Sequence, residues 1–202
     1  MDVRALFERV KPIFEKHRNE KHVEFEMRVG KFNCGTFDTN VGKEDFDTIL
    51  VGLKKYDGWE KVVASTEEVF YRNSDNLRIS IDEQTSEEKI VKKDKIHKED
   101  FDKLAQAPYD IRFGVSVETP LDDYEGDMDM KKTKRRMSFI RKNLSIDMTI
   151  VEGDVGDLDM EDPNSYQVEL EIIDPSLVKD DNELFNILHK VKDLFNIFGI
   201  NR

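Results

Sequence analysis

The sequence of 202 residues predicts a mainly β fold of the α+β kind, with about eight strands, mostly antiparallel, and helices at both ends. Three observations predict it. Much of the middle of the chain alternates apolar and polar residues with period two, the pattern of a strand buried on one face. Both ends instead space their apolar residues at helical intervals. The connections between alternating runs are too short for crossover helices, which favours antiparallel neighbours.

The elements follow in order. Residues 2–18 place Val3, Leu6, Phe7, Val10, Ile13 and Phe14 on one helical face. Residues 22–32 alternate Val23, Phe25, Met27 and Val29 against Glu24, Glu26 and Arg28. A second helix over 43–54 carries Phe46, Ile49, Leu50 and Leu53. Strands are expected near 61–71, 77–82, 88–96, 110–118, 131–141, 145–151 and 166–172. Alternation is clearest in Leu77-Ile79-Ile81, Ile111-Phe113-Val115-Val117, Ile146-Met148-Ile150 and Tyr166-Val168-Leu170-Ile172. A last helix over 176–199 follows Asp174-Pro175-Ser176 as a start and stops at Gly199, with Leu184, Ile187, Leu188, Val191, Leu194, Phe195 and Phe198 on its apolar face. Two acidic stretches, Asp122 to Asp129 and Glu152 to Asp162, are read as solvated loops, since neither completes a calcium-loop spacing. The length suits one domain over 1–202.

Composition excludes several classes. The apolar runs are a few residues long, as in Ile49-Leu50-Val51, too short for a membrane-spanning helix. The N-terminus has no apolar secretory core, and Cys34, the sole cysteine, forms no intrachain disulfide and is expected to be a buried free thiol. A net charge of −12 disfavours non-specific binding to DNA or anionic membranes, and sequence-specific DNA binding is not expected. There is no phosphate-binding loop of the G-x-x-x-x-G-K type, no G-x-G-x-x-G and no H-E-x-x-H. A Cys-x5-Arg phosphatase loop would need Arg where Asn40 stands.

Yet 38% of the chain is charged, well above the usual quarter, and the strands show where much of that charge goes. Their polar parity collects Glu24, Glu26, Arg28, Arg78, Lys93, Lys95, Arg112, Glu118, Lys134, Arg136, Asp147, Glu169 and Glu171. These are six carboxylates and seven cations, so the acidic excess lies elsewhere. Eight antiparallel strands can close into a barrel. With the apolar faces turned outward under the helices, this mixed-charge face would line the interior. Such an interior is expensive unless its charges pair, stay hydrated or hold ligands.

The two Glu-x-Glu pairs are the sharpest feature. Residues i and i+2 of a strand share a face, so Glu24/Glu26 and Glu169/Glu171 each project two carboxylates together. If the first and last strands are neighbours, four carboxylates converge, and a divalent cation relieves their repulsion. Oxygen-only ligands suit Mg²⁺ or Mn²⁺. Arg78, Lys93, Lys95, Lys134 and Arg136 project phosphate-binding donors from separate strands. Carboxylate-held metal facing cations is the general apparatus of phosphoryl transfer. The run Lys131 to Arg136 has a competing reading as a localisation or nucleic-acid patch, but it continues as the strand-like Met137-Ser138-Phe139-Ile140.

Taken in order, these segments resemble a known family. Glu24-Phe25-Glu26-Met27-Arg28-Val29-Gly30-Lys31 resembles the first metal-binding strand of the fungal and viral type of metal-dependent RNA 5′-triphosphatase, in the triphosphate tunnel metalloenzyme superfamily. Gln167-Val168-Glu169-Leu170-Glu171 resembles its last, Lys134-Arg135-Arg136-Met137-Ser138-Phe139 its K-x-R-x-S-F strand, and Ile146-Asp147-Met148-Thr149 its D-x-T strand. Leu77-Arg78-Ile79-Ser80, Lys93-Asp94-Lys95-Ile96 and Ile111 to Pro120 fall between them in family order, and the resemblance covers residues 22–174.

The resemblance implies a closed eight-stranded tunnel that hydrolyses the γ-phosphate from the 5′-triphosphate end of nascent RNA, the first step of mRNA capping. Glu24, Glu26, Glu169 and Glu171 would surround Mg²⁺ or Mn²⁺. Arg78, Lys93, Lys134 and Arg136 would hold phosphates, Glu118 would orient the attacking water, and Asp147 and Thr149 would support neighbouring groups. Lys95, Arg112 and Arg28 would line the substrate path. A guanylyltransferase, in cis or in trans, would be the partner that consumes the product. The setting implied is intracellular; for a viral chain, the host nucleus or a cytoplasmic replication site. The compact length resembles the triphosphatases of large DNA viruses more than the longer fungal enzymes. Two positions depart from the family pattern: Ser145 stands where Arg is common, and Gln167 where Glu is common. Loss of one cation and one anion together suggests a paired change. Two other readings keep the same residues: a tunnel hydrolase of inorganic polyphosphate or free nucleotides, and a non-catalytic module that binds RNA ends or a capping partner.

Overall fold

The computed structural model describes residues 2–102, 107–153 and 163–199. Its sheet comprises β1 (Val23–Asn33), β2 (Thr36–Asp38), β3 (Lys61–Arg72), β4 (Leu77–Asp82), β5 (Glu88–Phe101), β6 (Asp110–Pro120), β7 (Met130–Arg141), β8 (Leu144–Glu152) and β9 (Asn164–Ile172). Neighbours run β1-β6-β5-β4-β3-β7-β8-β9, all antiparallel, and β9 pairs back onto β1. Eight strands thus close a barrel, and β2 extends β1 as a short hairpin outside the ring. The predicted closed barrel is what the chain forms.

The apolar faces point outward, as the alternation required. Phe25, Met27 and Val29 of β1, Ile111, Phe113 and Val115 of β6, Ile146 and Met148 of β8, and Val168, Leu170 and Ile172 of β9 form one buried cluster with the helices. Those helices are α1 (Val3–His17), α2 (Lys43–Lys55) and α3 (Asp181–Gly199). The main core therefore lies outside the barrel wall, which leaves the interior free for polar groups. Local chemistry fixes the helix ends. Asp2 caps α1 by accepting from the amides of Arg4 and Ala5. Glu44 and Asp45 open α2, and Lys54 and Lys55 close it, each suited to the helix dipole. At the start of α3, the Asp180 carboxylate accepts from the Glu183 amide at 2.9 Å while Glu183 accepts from the Lys179 amide at 2.6 Å.

Phe25 links α1 to the barrel. It is fully buried, with ring centroids 4.8 Å from Phe14 and 6.0 Å from Phe113. Phe25→Ala is expected to cost about 3–5 kcal/mol of stability through lost burial and the cavity left behind. Urea unfolding of variant and wild type checks this, and a loss under about 1 kcal/mol would show that the wall relaxes around the gap.

Three expectations need correction. The last helix begins at Asp181 and not at 176, because Pro175–Leu177 forms only a 3₁₀ turn, capped by Asp174. Cys34 is exposed and not buried. It sits with Gly35 in the turn between β1 and β2, where both residues have positive φ (47° and 85°). β2 was not expected, since three residues carry no readable alternation. The acidic stretch Asp122 to Asp129 is an exposed connection from β6 to β7. The second acidic stretch lies, beyond Gly153, outside the described residues, as does the side chain of Phe198.

Candidate active site

The pairing of β1 with β9 brings the two Glu-x-Glu segments side by side inside the barrel. Glu26 stands opposite Glu171, and Arg28 opposite Glu169. They line a cavity of about 840 Å³ together with Arg78, Lys93, Glu118, Lys134 and Arg136. Seven of the eight barrel strands, all but β8, contribute lining residues, so the sequence pattern that builds the wall also aims these side chains inward.

Most of the charges are partnered. Arg28 reaches Glu26 and Glu169, both at 3.0 Å. Lys93 contacts Glu24 and lies 3.3 Å from Glu118. The Ser116 hydroxyl donates to Glu24 at 3.0 Å. Glu118 is also approached by Lys89 at 2.9 Å and Arg78 at 3.5 Å. Burial pushes the Glu118 carboxyl up, but Lys93, Lys89 and Arg78 outweigh it and hold it at about 2. Glu169 is likewise held at about 2, burial being outweighed by Arg28, Arg136 and Lys134. Burial lowers Lys93, yet Glu26 and Glu24 raise it above its ordinary value. Both carboxylates and the ammonium are therefore charged at neutral pH.

Two groups are left outside any ion pair. No cation lies within ion-pair distance of Glu171 among the described residues. Its carboxyl is pushed up to about 8 by burial, then by Glu24 and Asp147. Glu26 is also raised, by burial first, against Arg28. Lys134 similarly has no carboxylate within ion-pair distance among the described residues. Burial, then the nearby Arg78, lower it to about 8. A carboxyl raised to about 8 and an ammonium lowered to about 8, neither in an ion pair, thus face one interior.

Of the two residues expected to support neighbouring groups, Asp147 reaches one and the Thr149 hydroxyl does not. Asp147 is buried, accepts from the Ser145 hydroxyl at 2.6 Å, and stands 3.7 Å from Arg136. Thr149, opposite Arg136 in the ladder, buries a hydroxyl that has no hydrogen-bond partner among the described residues. The basic run of β7 divides by parity. Lys134 and Arg136 line the cavity, whereas Lys131 pairs with Glu68 and the exposed Arg135 with Glu152. Inside a paired strand the run is no disordered tag.

Lys95 and Arg112 are not in this cavity. They line a second one, of about 280 Å³, at the other end of the barrel. Arg112 is tied to Asp100 by two bonds, 2.6 and 2.9 Å, and stacks on Phe37. The paired-change idea for Ser145 and Gln167 fails. Ser145 stands opposite Glu171 and Gln167 opposite Thr149, four positions along the ladder. Three contributors were missed: Ser116, Lys89 and Gly114. Ser116 and Gly114 share the parity of Arg112 and Glu118. Gly114 stands opposite Glu26, and a Cβ there would come within 3.1 Å of its carboxylate, so glycine makes room for that side chain.

The donor set fits a hard divalent cation: four carboxylates on adjacent strands, one of them outside any ion pair. Among the described residues, no three such groups stand close enough to hold an ion as they lie. Glu24, Glu26 and Glu169 are turned onto Lys93 and Arg28 instead. Holding an ion would mean side-chain rotation away from those cations.

Comparison with known proteins adds independent findings. The sequence model of the family described as mRNA capping enzyme, beta chain, matches residues 60–199. No curated protein matches the sequence. Among solved structures, S. pombe Pct1 RNA triphosphatase in complex with the Spt5 CTD has a TM-score of 0.72 at 16% identity, covering 93% of this chain and 91% of that one. The Mimivirus capping enzyme triphosphatase has a TM-score of 0.65 at 18% identity, covering 95% of this chain and 97% of that one. At such identities the likeness is one of fold, and the fold is the same closed barrel.

Proposed function

The chain belongs to the family of the mRNA capping enzyme beta chain, and from that membership and the charge layout of the barrel we propose that it is a divalent-metal-dependent RNA 5′-triphosphatase. It removes the γ-phosphate from a 5′-triphosphate RNA end and leaves a 5′-diphosphate, the substrate of a guanylyltransferase. We place the reaction inside the cell, and for a viral chain in the host nucleus or a cytoplasmic replication site. The observation that carries this reading is the pair of groups outside any ion pair, Glu171 and Lys134, lining one cavity inside the barrel. A cation supplies the charge that Glu171 lacks, and a phosphate the charge that Lys134 lacks.

In this reading Glu24, Glu26, Glu169 and Glu171 hold Mg²⁺ or Mn²⁺. The ion, when bound, neutralises phosphate oxygens and makes phosphorus more electrophilic. Lys93, Lys134, Arg78 and Arg136 bind the phosphate oxygens and stabilise charge as the bond to the β-phosphate oxygen breaks. Glu118 accepts a hydrogen bond from the attacking water. With its carboxyl at about 2 it is a weak base, so it orients the water more than it removes the proton. Asp147 positions Arg136 and does not touch substrate.

Phosphate release from γ-labelled triphosphate RNA, with Mg²⁺, Mn²⁺ or EDTA, tests the proposal. Wild type is expected to release phosphate only with metal, and Glu169→Ala to lose that release while retaining the barrel's circular dichroism. Retained turnover in Glu169→Ala would remove it from the ligand set. Folded wild type that is inactive on RNA with either metal, but active on tripolyphosphate, would shift the substrate to inorganic polyphosphate.

A further inference from the structure

The two ends of the barrel differ in charge, and the difference gives the substrate a direction. The smaller cavity shares Glu26, Arg28, Arg78 and Lys93 with the larger one, so the two are successive parts of one passage. The charged side chains that line only the smaller cavity are all cationic: Arg72, Lys95, Lys98 and Arg112. At the opposite end the rim is mainly acidic, with Asp82, Glu87 and Glu88 beside Lys89. A polyanion is repelled there and attracted at the end where Lys95 and Lys98 stand.

Arg72 and Arg112 are already bound to Asp75 and Asp100. Lys95 and Lys98 are exposed, and neither has an acidic partner within ion-pair distance among the described residues. Their common orientation has a specific cause. The β5–β6 ladder pairs Lys95 with Ser116, then His97 with Val115 and Lys98 with Gly114, so Ile96 is an extra residue. Such a bulge re-aims the strand that follows it. Strict alternation would turn residue 98 away from the face of Lys95. The bulge instead puts both lysines across from Ser116 and Gly114, which face the passage. The two lysines stand two ladder steps apart, ~7 Å, comparable with the spacing of successive phosphates in an extended single strand.

Resting on the triphosphatase reading, we infer that the RNA chain behind the reacting triphosphate leaves the passage at the cationic end, its first phosphodiesters held by Lys95 and Lys98. These lysines then favour RNA over tripolyphosphate, which has no chain to place there. Specificity comes from charge on the backbone and is independent of base sequence.

The test compares wild type with a Lys95→Glu, Lys98→Glu double variant on a short triphosphate-ended RNA and on tripolyphosphate, with Mn²⁺ and at several salt concentrations. The ratio of KM for RNA to KM for tripolyphosphate is expected to rise about tenfold or more. The dependence of log KM for RNA on log salt should flatten by roughly 1.4, two lysine–phosphate contacts at about 0.7 each. A ratio that stays within twofold, in protein whose wild type hydrolyses RNA, overturns this inference and leaves the triphosphatase reading intact. Wild type that hydrolyses tripolyphosphate and not RNA overturns both. A Glu87→Lys, Glu88→Lys variant supplies the reverse arm. If it lowers KM for RNA by more than the lysine variant raises it, the chain runs out through the acidic end and the assignment is wrong.

Discussion

Glu171→Gln is expected to abolish metal-dependent phosphate release and, at the same time, to raise the melting temperature of the metal-free protein. The loss of turnover should be roughly 10²–10³-fold or greater, the scale for removing one electrostatic contributor to a transition state. The gain in stability follows from what Glu171 touches in the folded chain. It forms no ion pair, and burial with Glu24, Asp147 and Glu169 outweighs the attraction of Arg136 for its ionised form. Glutamine keeps the shape and is neutral without a bound proton, so the cost of holding this carboxyl protonated goes without leaving a cavity. A rise of roughly 2–8 °C in EDTA is expected, since relief of about 1–2 kcal/mol moves a chain of this size by about 2–4 °C per kcal/mol. Saturating Mn²⁺ should stabilise wild type and leave the variant nearly unmoved. Equal stabilisation of both by Mn²⁺, measured by thermal melts, would remove Glu171 from the ion's ligands.

Lys134→Met should show the same opposition from the cationic side. Turnover is expected to fall by roughly 10²–10³-fold, while the folded chain gains stability. The pH dependence identifies the cause. Lys134 titrates at about 8 in the folded state against 10.5 ordinarily. Below about 8 it is charged in both states, and the folded state bears the whole penalty of burying it. Between about 8 and 10.5 the unfolded chain holds more protons, so wild-type stability rises with pH through that window. The stabilising effect of Lys134→Met should therefore be largest below pH 8 and shrink above it. Substrate binding runs the other way, since KM should rise as pH passes 8 in wild type. Lys134→Arg, which stays charged, should lack that limb. A variant-to-wild-type melting difference that is flat across the window would mean that Lys134 is solvated in the free protein.

Particular residues show what the sequence carried. Glu24, Glu26, Glu169 and Glu171 were legible because parity within a strand is local: a residue and its second neighbour share a face wherever the strand lies. The inversion of the barrel was legible for the same reason, from the apolar residues standing opposite them. The partner of each charge was not. That Arg28 serves both Glu26 and Glu169, that Arg112 is held by Asp100, and that Ser145 and Gln167 stand four positions apart all depend on ladder register. Register joins segments far apart in the chain. Lys98 was invisible for a third reason. The expected strand stops near 96, and alternation carried on from Lys95 would put residue 98 on the outer face, which a single extra residue, Ile96, reverses. Cys34 went wrong through composition: free cysteines are usually buried, and nothing in its neighbours announced a turn with two positive φ angles except Gly35.

The closure of β1 onto β9 also governs when the site comes into being. The paired residues Glu26 and Glu171 are separated by 145 positions, and contacts of such separation form slowly because a long loop must be ordered before they are rewarded. A ribosome-bound chain lacking β9 has one carboxylate pair and no tunnel. Under the proposed function it can neither gather an ion between strands nor enclose a phosphate, so it is expected to be catalytically silent through most of its synthesis. Activity then reports ring closure more sharply than helix content does. In refolding it should appear in the last kinetic phase, after the far-ultraviolet signal of α1 and the central hairpins has already returned.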